Sequence, residues 1–237
     1  MFTIKIADIY VKIDNKYSFI ERQCAEYIVN IEKCDLFISV SEEELEQEKS
    51  VATQEFSPGY IESICCYRKI SLEITKFDIF LMHAAVVAVD NEAYAFSAKS
   101  GTGKTTHTRL WKELLKDKMY YVNGDKPLIR LIDGIPYAYG TPWCGKEAFQ
   151  TNTKARLKAL CCVERGEHNS ITELPKQNVL VRVIHQILIP DNEEQASKTF
   201  ELLDQTINNI DTYVLKCNMD LDAAKLSYST MSKKTIL

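Results

Sequence analysis

Residues 94–111 read YAFSAKSGTGKTTHTRLW. An apolar stretch runs into a turn with two glycines, and the residues after the turn have the spacing of a helix. A strand that enters such a turn and leaves through a helix needs a sheet on which that helix can pack back, which is an α/β arrangement. Glycines at 101 and 103 allow positive φ and a close backbone approach. Successive amides in the turn, helped by the positive end of the helix, can then hold phosphate oxygens. The pattern G-x-x-x-x-G-K-[ST] is met at Gly103, Lys104 and Thr105, but Ala98 stands at its first glycine. That glycine mainly eases the exit from the strand, and alanine serves if its φ is negative. Lys104 is predicted to reach the β- and γ-phosphates, and the Thr105 hydroxyl to ligate Mg²⁺. The sequence thus predicts a nucleotide site over Ser100, Gly101, Thr102, Gly103, Lys104, Thr105 and Thr106.

The rest of the chain bounds the setting of that site. Of 237 residues, 46% are apolar and 26% charged, as in an ordinary globular protein. No apolar run approaches the roughly 18 residues of a membrane span. The start, MFTIKIADIYVKID, alternates and carries acids, unlike a secretory signal. The expectation is a soluble, cytoplasmic protein with no membrane contact. A net charge of −4 argues against a nucleic-acid platform, which needs a basic face. The eight cysteines include no C-x-x-C and do not cluster with the four histidines, so zinc spacing is absent. They are expected to be reduced and mostly buried, with Cys144, beside a loop glycine, marked as the one to test for reactivity.

Patterning predicts the elements. Residues 2–13 alternate as one or two strands, and SEEELEQEKS at 41–50 reads as a solvated loop in preference to a short capped helix. Residues 60–78 have helical spacing, 80–89 read as one buried strand, and Asp90-Asn91 turns it into a partner at 93–96. A helix over 104–115 precedes the strand 119–122, which ends on Asn123-Gly124-Asp125. Strands at 127–132 and 135–139 flank Asp133-Gly134, a hairpin signal. The loop GTPWCGKEAFQTN and the strand RLKALCCVE come next, and Pro175 opens a helix carrying Val179, Leu180, Val183, Ile184, Ile187 and Leu188. A helix over 192–209, the strand TYVLKC and a last helix from Asp220 complete the chain. Hairpins among helices predict a mixed sheet. The expected fold is α/β, a P-loop core with a mixed β-sheet flanked by helices, plus a small N-terminal α/β lobe. The division falls between 1–57, a substrate-recognition lobe or oligomer contact, and 58–237, the nucleotide-binding domain.

What becomes of the phosphate depends on a carboxylate. A phosphate-loop protein places its metal-ordering or base residue where an apolar strand ends in an acid, and YYVNGD delivers Asp125 there.

The segment SGTGKTT resembles the phosphate loop of the HPr kinase/phosphorylase and ATP-dependent phosphoenolpyruvate carboxykinase superfamily. LMHAAVVAVDNEAYAFSAKSGTGKTT is similar to the order of histidine, hairpin and loop in HPr kinases. VNGDKPLIRLIDGIPYAYGTPWCGKE and LKCNMDLDAAKLSY resemble small kinase-like relatives of bacterial gene clusters, so the likeness spans residues 78–230. It implies ATP and Mg²⁺ as cofactors, with Lys104 at the nucleotide position and Thr105 at the metal position. Asp125 matches one acid of the HPr kinase Asp-Asp pair, where an aspartate deprotonates the acceptor serine. Gly124 replaces the other acid, so base and metal roles both fall on Asp125, or another residue supplies one.

His83 matches the upstream histidine, as a phosphate contact or a structural residue. Lys146 and Glu147 match the substrate-side loop, where Lys146 neutralises the transferring phosphoryl or the two form a solvated pair. His107 and Arg109 are assigned structural roles, with His107 close enough to the loop to be tested. Nothing in the chain matches the carboxykinase's oxaloacetate and second-metal residues, or an HPr-docking segment. The implied activity is transfer of the γ-phosphate to a hydroxyl on a peptide, protein or small molecule. The alternatives are a non-catalytic ATP-binding regulatory module engaging a partner protein, and a phosphorylase running in reverse. The resemblance is compatible with a homo-oligomer.

Overall fold

The computed structural model describes residues 1–52 and 54–235. The alternation near the start forms two antiparallel strands, β1 (Phe2–Ile6) and β2 (Ile9–Asp14), joined through Ala7 and Asp8 at φ 47° and 61°. After α1 (Ser18–Gln23), β3 (Leu36–Ser39) adds to β2 in parallel. Residues 42–51, expected as a solvated loop, are instead a helix, α2 (Glu42–Val51). Only Leu45 of it is buried, so its sequence carries almost no apolar signal. A capping box between Ser41 and Glu44 starts it, and ion pairs from Glu44 to Lys69 and from Glu48 to Arg68 hold it on the next helix.

That next helix, α3 (Pro58–Glu73), is capped by the Ser57 side chain and has Pro58 in its first turn. It gives way to a 3-10 turn over residues 74–77, which Asp78 ends at φ 59°. Its buried face, including Ile61, Cys66 and Ile70, shares one core with β1–β3 and with Leu128, Tyr139 and Trp143.

Beyond this point lies a nine-stranded mixed sheet. The stretch expected as a single strand over 80–89 is two strands, β4 (Ile79–Leu81) and β5 (Ala85–Val89). The interruption is tertiary in origin: His83 N–H donates to Gln186 O at 2.7 Å and Ala84 N–H to Asp125 O at 3.1 Å, so neither serves a ladder. β6 (Glu92–Ser97) pairs antiparallel with β5 through Asp90-Asn91, both at positive φ as such a hairpin requires. α4 (Lys104–Leu115) leads to β7 (Met119–Asn123), which pairs with the other edge of β5. β8 (Leu128–Ile132) and β9 (Ile135–Tyr139) form the hairpin around Asp133-Gly134, and β8 takes β4 on its far edge.

The organising strand is β10 (Lys154–Arg165). One edge pairs in parallel with β6, while the other serves β9 first and then β12 (Asp211–Cys217). Between them come β11 (Ser170–Glu173), antiparallel to β12, then α5 (Lys176–Val183) and α6 (Glu193–Asn208). α5 is shorter than expected. Ile187 and Leu188 lie beyond it, because Ile187 forms a bridge with Met82. α7 (Leu221–Ser232) closes the chain after Asp220.

The strand period of two sorts the core. Val87, Phe96, Cys161 and Leu215 face α4 and α7, against Trp111 and Tyr228. Val86, Ala95, Cys162 and Val214 face α5 and α6, against Val179 and Leu203. Adjacent Cys161 and Cys162 therefore project to opposite layers. All eight cysteines are free thiols. The protein is a mixed α/β sheet flanked by helices, and no helix among the described residues is long and apolar enough to cross a membrane.

Candidate functional site

β6 ends at Ser97, and the chain turns through residues 98–103 before α4 begins at Lys104. Ala98 keeps a negative φ, while Gly101 and Gly103 stand at φ 76° and 128°, where an L side chain is strained. A Cβ added at either glycine would meet nothing within 4 Å, so backbone shape is the constraint and the space over the turn is free for a ligand. Thr102 N–H closes the turn on Lys99 O at 3.2 Å. Arg165, at the end of β10, donates to Gly101 O at 2.6 Å and to Thr102 O at 3.2 Å. In a trans peptide N–H and C=O point opposite ways, so tying Thr102 O to Arg165 turns the Gly103 amide away from it. Lys104 is only 8% exposed and spans the turn, its Nζ donating to Ala98 O at 2.8 Å. Burial pushes its ammonium below the ordinary value, and the Asp125 charge works against that shift.

Asp125 sits on a clip at the end of β7. The buried Asn123 side chain accepts from the amides of Asp125 (2.9 Å) and Lys126 (2.7 Å), shaping the turn. Its amide group donates to Thr141 O at 3.1 Å and Thr141 Oγ1 at 3.0 Å, fixing that turn to the chain after β9. His83 Nε2 lies 3.0 Å from Asp125 Oδ1, and Lys126 Nζ holds Oδ2. Burial opposes the charge on Asp125, but the hydrogen bond from His83 and the charge of Lys126 outweigh it. The carboxyl is held well below the usual carboxylate range. The break between β4 and β5 is thus what sets His83 against Asp125.

Gly124 donates to Phe149 O at 2.7 Å, and a Cβ on it would lie 3.1 Å from both Cys144 O and Phe149 Cβ. A second carboxylate at this position would have to displace the 144–149 segment. That segment is fastened on two sides. Trp143 stacks on Tyr67 of α3 at 4.1 Å and donates to Ser63 Oγ at 2.9 Å. Glu147 pairs with Arg109 of α4, and Phe149 stacks on Tyr121 at 4.2 Å.

A cavity of about 670 Å³ opens between α3, the 142–149 segment and the glycine turn. Ser100, Thr105, Asp125 and Lys146 all line it, and His83 meets it through its bond to Asp125. Lys146 is exposed and has no ion-pair partner among the described residues. Gly101, Thr102, Gly103 and Thr106 line a separate cleft on the other side of the turn. Lys104 is bonded across the turn to Ala98 O and lines neither of them. Cys144, marked for reactivity from its loop position, is buried, and burial pushes its thiol up, away from the reactive thiolate.

No group of three or more His, Cys, Asp or Glu among the described residues is placed to hold a metal ion unaided. Thr105 and the ionised Asp125 together offer one hydroxyl and one anionic oxygen to the same cavity. That donor set fits a hard cation such as Mg²⁺ when phosphate oxygens supply the remaining ligands. Asn123 and Arg165 carry no signal of their roles in the sequence. An NGD tripeptide signals a turn without saying what it clips to, and Arg165 is 64 residues from Gly101, whose carbonyl it holds.

The fold and site together describe a mixed α/β protein with a glycine turn at a strand's carboxyl end and an ionised aspartate beside it. No family model matches the chain, and no curated protein matches it. Among solved structures, the HPr(Ser) kinase/phosphatase from Coxiella burnetii is similar over 54% of this chain and 88% of its own, at 12% identity and a TM-score of 0.29. A likeness of that size carries no functional argument.

Proposed function

We propose that the protein is an ATP·Mg²⁺-dependent phosphotransferase that moves the γ-phosphate to a hydroxyl acceptor, with a P-loop formed by residues 98–105. The observation that carries this reading is the opening of Asp125 and Thr105 onto one cavity at the glycine turn, with Asp125 kept ionised there. The amides of the turn and the first residues of α4 bind phosphate oxygens, and Lys104 adds its charge from within the turn. Thr105 and Asp125 would hold Mg²⁺, which when bound shares the phosphate charge and lowers its repulsion toward an incoming oxygen.

The acceptor, a hydroxyl on a peptide, protein or small molecule, enters the larger cavity against α3. Asp125 orients that hydroxyl and takes its proton late. A carboxylate this acidic suffices because phosphoryl transfer depends on positioning more than on a strong base. His83 keeps Asp125 oriented, and Lys146 neutralises the transferring phosphoryl. The alternative, a regulatory module that binds ATP without chemistry, is favoured by Gly124, which stands where a second acid would be and is tightly packed against the 144–149 segment.

Label transfer from γ-labelled ATP with Mg²⁺ into size-fractionated, heat-treated cell extract tests the two readings. Transfer by the wild type that is lost in both Lys104→Ala and Asp125→Asn is expected of the enzyme, and the labelled fraction then gives the acceptor class. ATP binding that needs Lys104, with no transfer into any fraction, favours the regulatory module.

A further inference from the structure

The cleft on the other side of the glycine turn measures about 440 Å³, and the proposed roles of Thr105, Asp125 and Lys146 leave it without an occupant. One wall is the turn and the first residues of α4. The other is the carboxyl end of β10, with Val163 and Arg165, and the carboxyl end of β12, with Cys217, Asn218 and Met219. β6, β10 and β12 run parallel, and crevices beyond the carboxyl ends of parallel strands are where open α/β sheets take ligands. Val163, Cys217 and Met219 give it an apolar side, and Met219 is 76% exposed. A thioether at the mouth of an apolar cleft suits a flat ring.

A polar group at the inner end has an unmet need. His107 lines the cleft and is only 2% exposed. Its Nε2 lies 2.9 Å from Ser227 Oγ, which also accepts from Trp111 Nε1 at 2.8 Å and donates its own proton to Ala224 O at 3.2 Å. With the serine proton spent, Ser227 can only accept from His107, so the imidazole carries its proton on Nε2. Nδ1 is then a bare acceptor, and it is buried without a partner. Buried polar atoms are rarely left so, and a ligand N–H or O–H would complete it. Burial pushes His107 down to about 4, which keeps it neutral at pH 7.

We propose that this cleft is a nucleoside subsite: the base lies against Val163 and Met219, and a ribose hydroxyl or base amino group donates to His107 Nδ1. The proposal rests on the phosphate-binding reading of the turn. It gives the two sides of the turn different work, nucleoside on one and acceptor on the other.

Calorimetric titration with ATP and with inorganic tripolyphosphate, each with Mg²⁺, separates the subsite from the phosphate site. Wild-type protein is expected to bind ATP at least about tenfold more tightly than tripolyphosphate. Met219→Ser and His107→Phe, both uncharged changes, should each weaken ATP by roughly fivefold to tenfold while leaving tripolyphosphate within about twofold. Met219→Ser is an exposed change, so it tests the subsite even if His107→Phe fails to fold. Equal affinity for the two ligands in the wild type overturns the subsite and leaves the phosphate site standing. So does an ATP preference that Met219→Ser leaves intact. Failure of both ligands to bind the wild type overturns the phosphate-binding reading itself, and the subsite with it.

Discussion

Asp125 stays ionised against its own burial because His83 and Lys126 face its two oxygens. Its folded pKa is depressed, so its contribution to stability is present above the unfolded value of about 3.9 and is lost as pH falls through the folded one. It therefore adds no titration to the rate between pH 5 and 8. Asp125→Asn keeps the shape and removes the charge. For the proposed transfer, kcat should fall by roughly a thousandfold with the KM for ATP little changed, as expected where a group acts on the transition state. Steady-state kinetics of the two proteins reads that split, and a raised KM for ATP with kcat unchanged would make Asp125 a binding group only. His107 makes a second prediction. Its folded value of about 4 lies below the unfolded one of about 6.5, so the folded state binds fewer protons between them and stability rises with pH across that window. Between pH 7 and pH 5 the wild type should lose about 2 kcal/mol more than His107→Phe. Urea midpoints at the two pH values measure this, and parallel losses in the two proteins would refute it.

At the level of elements, the legible parts were those whose cause is local. Asp90-Asn91 and Asp133-Gly134 fix two hairpins through residues that tolerate positive φ, and both form where expected. The glycine turn between β6 and α4 is local in the same sense. α2 was hidden because a helix with a single buried residue has no apolar period, and its stability comes from Ser41 and from partners on α3. The split between β4 and β5 was hidden because Gln186 and Asp125, far along the chain, take the amides that a continuous strand would use. The site follows the same division: Lys104 and Thr105 lie in a local motif, whereas Asn123 acts by reaching Thr141. Truncating Asn123 to alanine leaves two turn amides and the Thr141 carbonyl without their partner. The cost should be about 2–4 kcal/mol, since the buried Thr141 carbonyl left unpaired costs about 1–3 kcal/mol and the two part-buried amides, which water can reach, cost less. A urea titration at pH 7 of Asn123→Ala beside the wild type checks this, and a change under about 0.5 kcal/mol would mean the clip is solvated or dispensable.

Across the whole molecule, the larger cavity is a joint product of the early and later parts of the chain. Gln23, Tyr60, Ser63 and Tyr67 line the cavity from α1 and α3, opposite Thr105 and Asp125. The core beneath them is equally shared, running from β1–β3 through α3 to Leu81, Leu128 and Tyr139 of the large sheet. Apolar burial that crosses a boundary couples the two sides, because unfolding either one exposes the face of the other. The two tryptophans report on this coupling separately. Trp143 lies in the core shared with the N-terminal strands, and Trp111 lies under α7 on the far face of the sheet. In Trp111→Phe and Trp143→Phe proteins the remaining tryptophan should show a urea transition that coincides with loss of far-ultraviolet circular dichroism in the same protein. The slopes with denaturant should also agree, as one cooperative unit requires. An earlier Trp143 transition, with Trp111 still native, would mean that the α3 wall of the cavity opens as a unit of its own. In that case the cavity would be gated by local unfolding of the N-terminal part instead of being held preformed against the glycine turn.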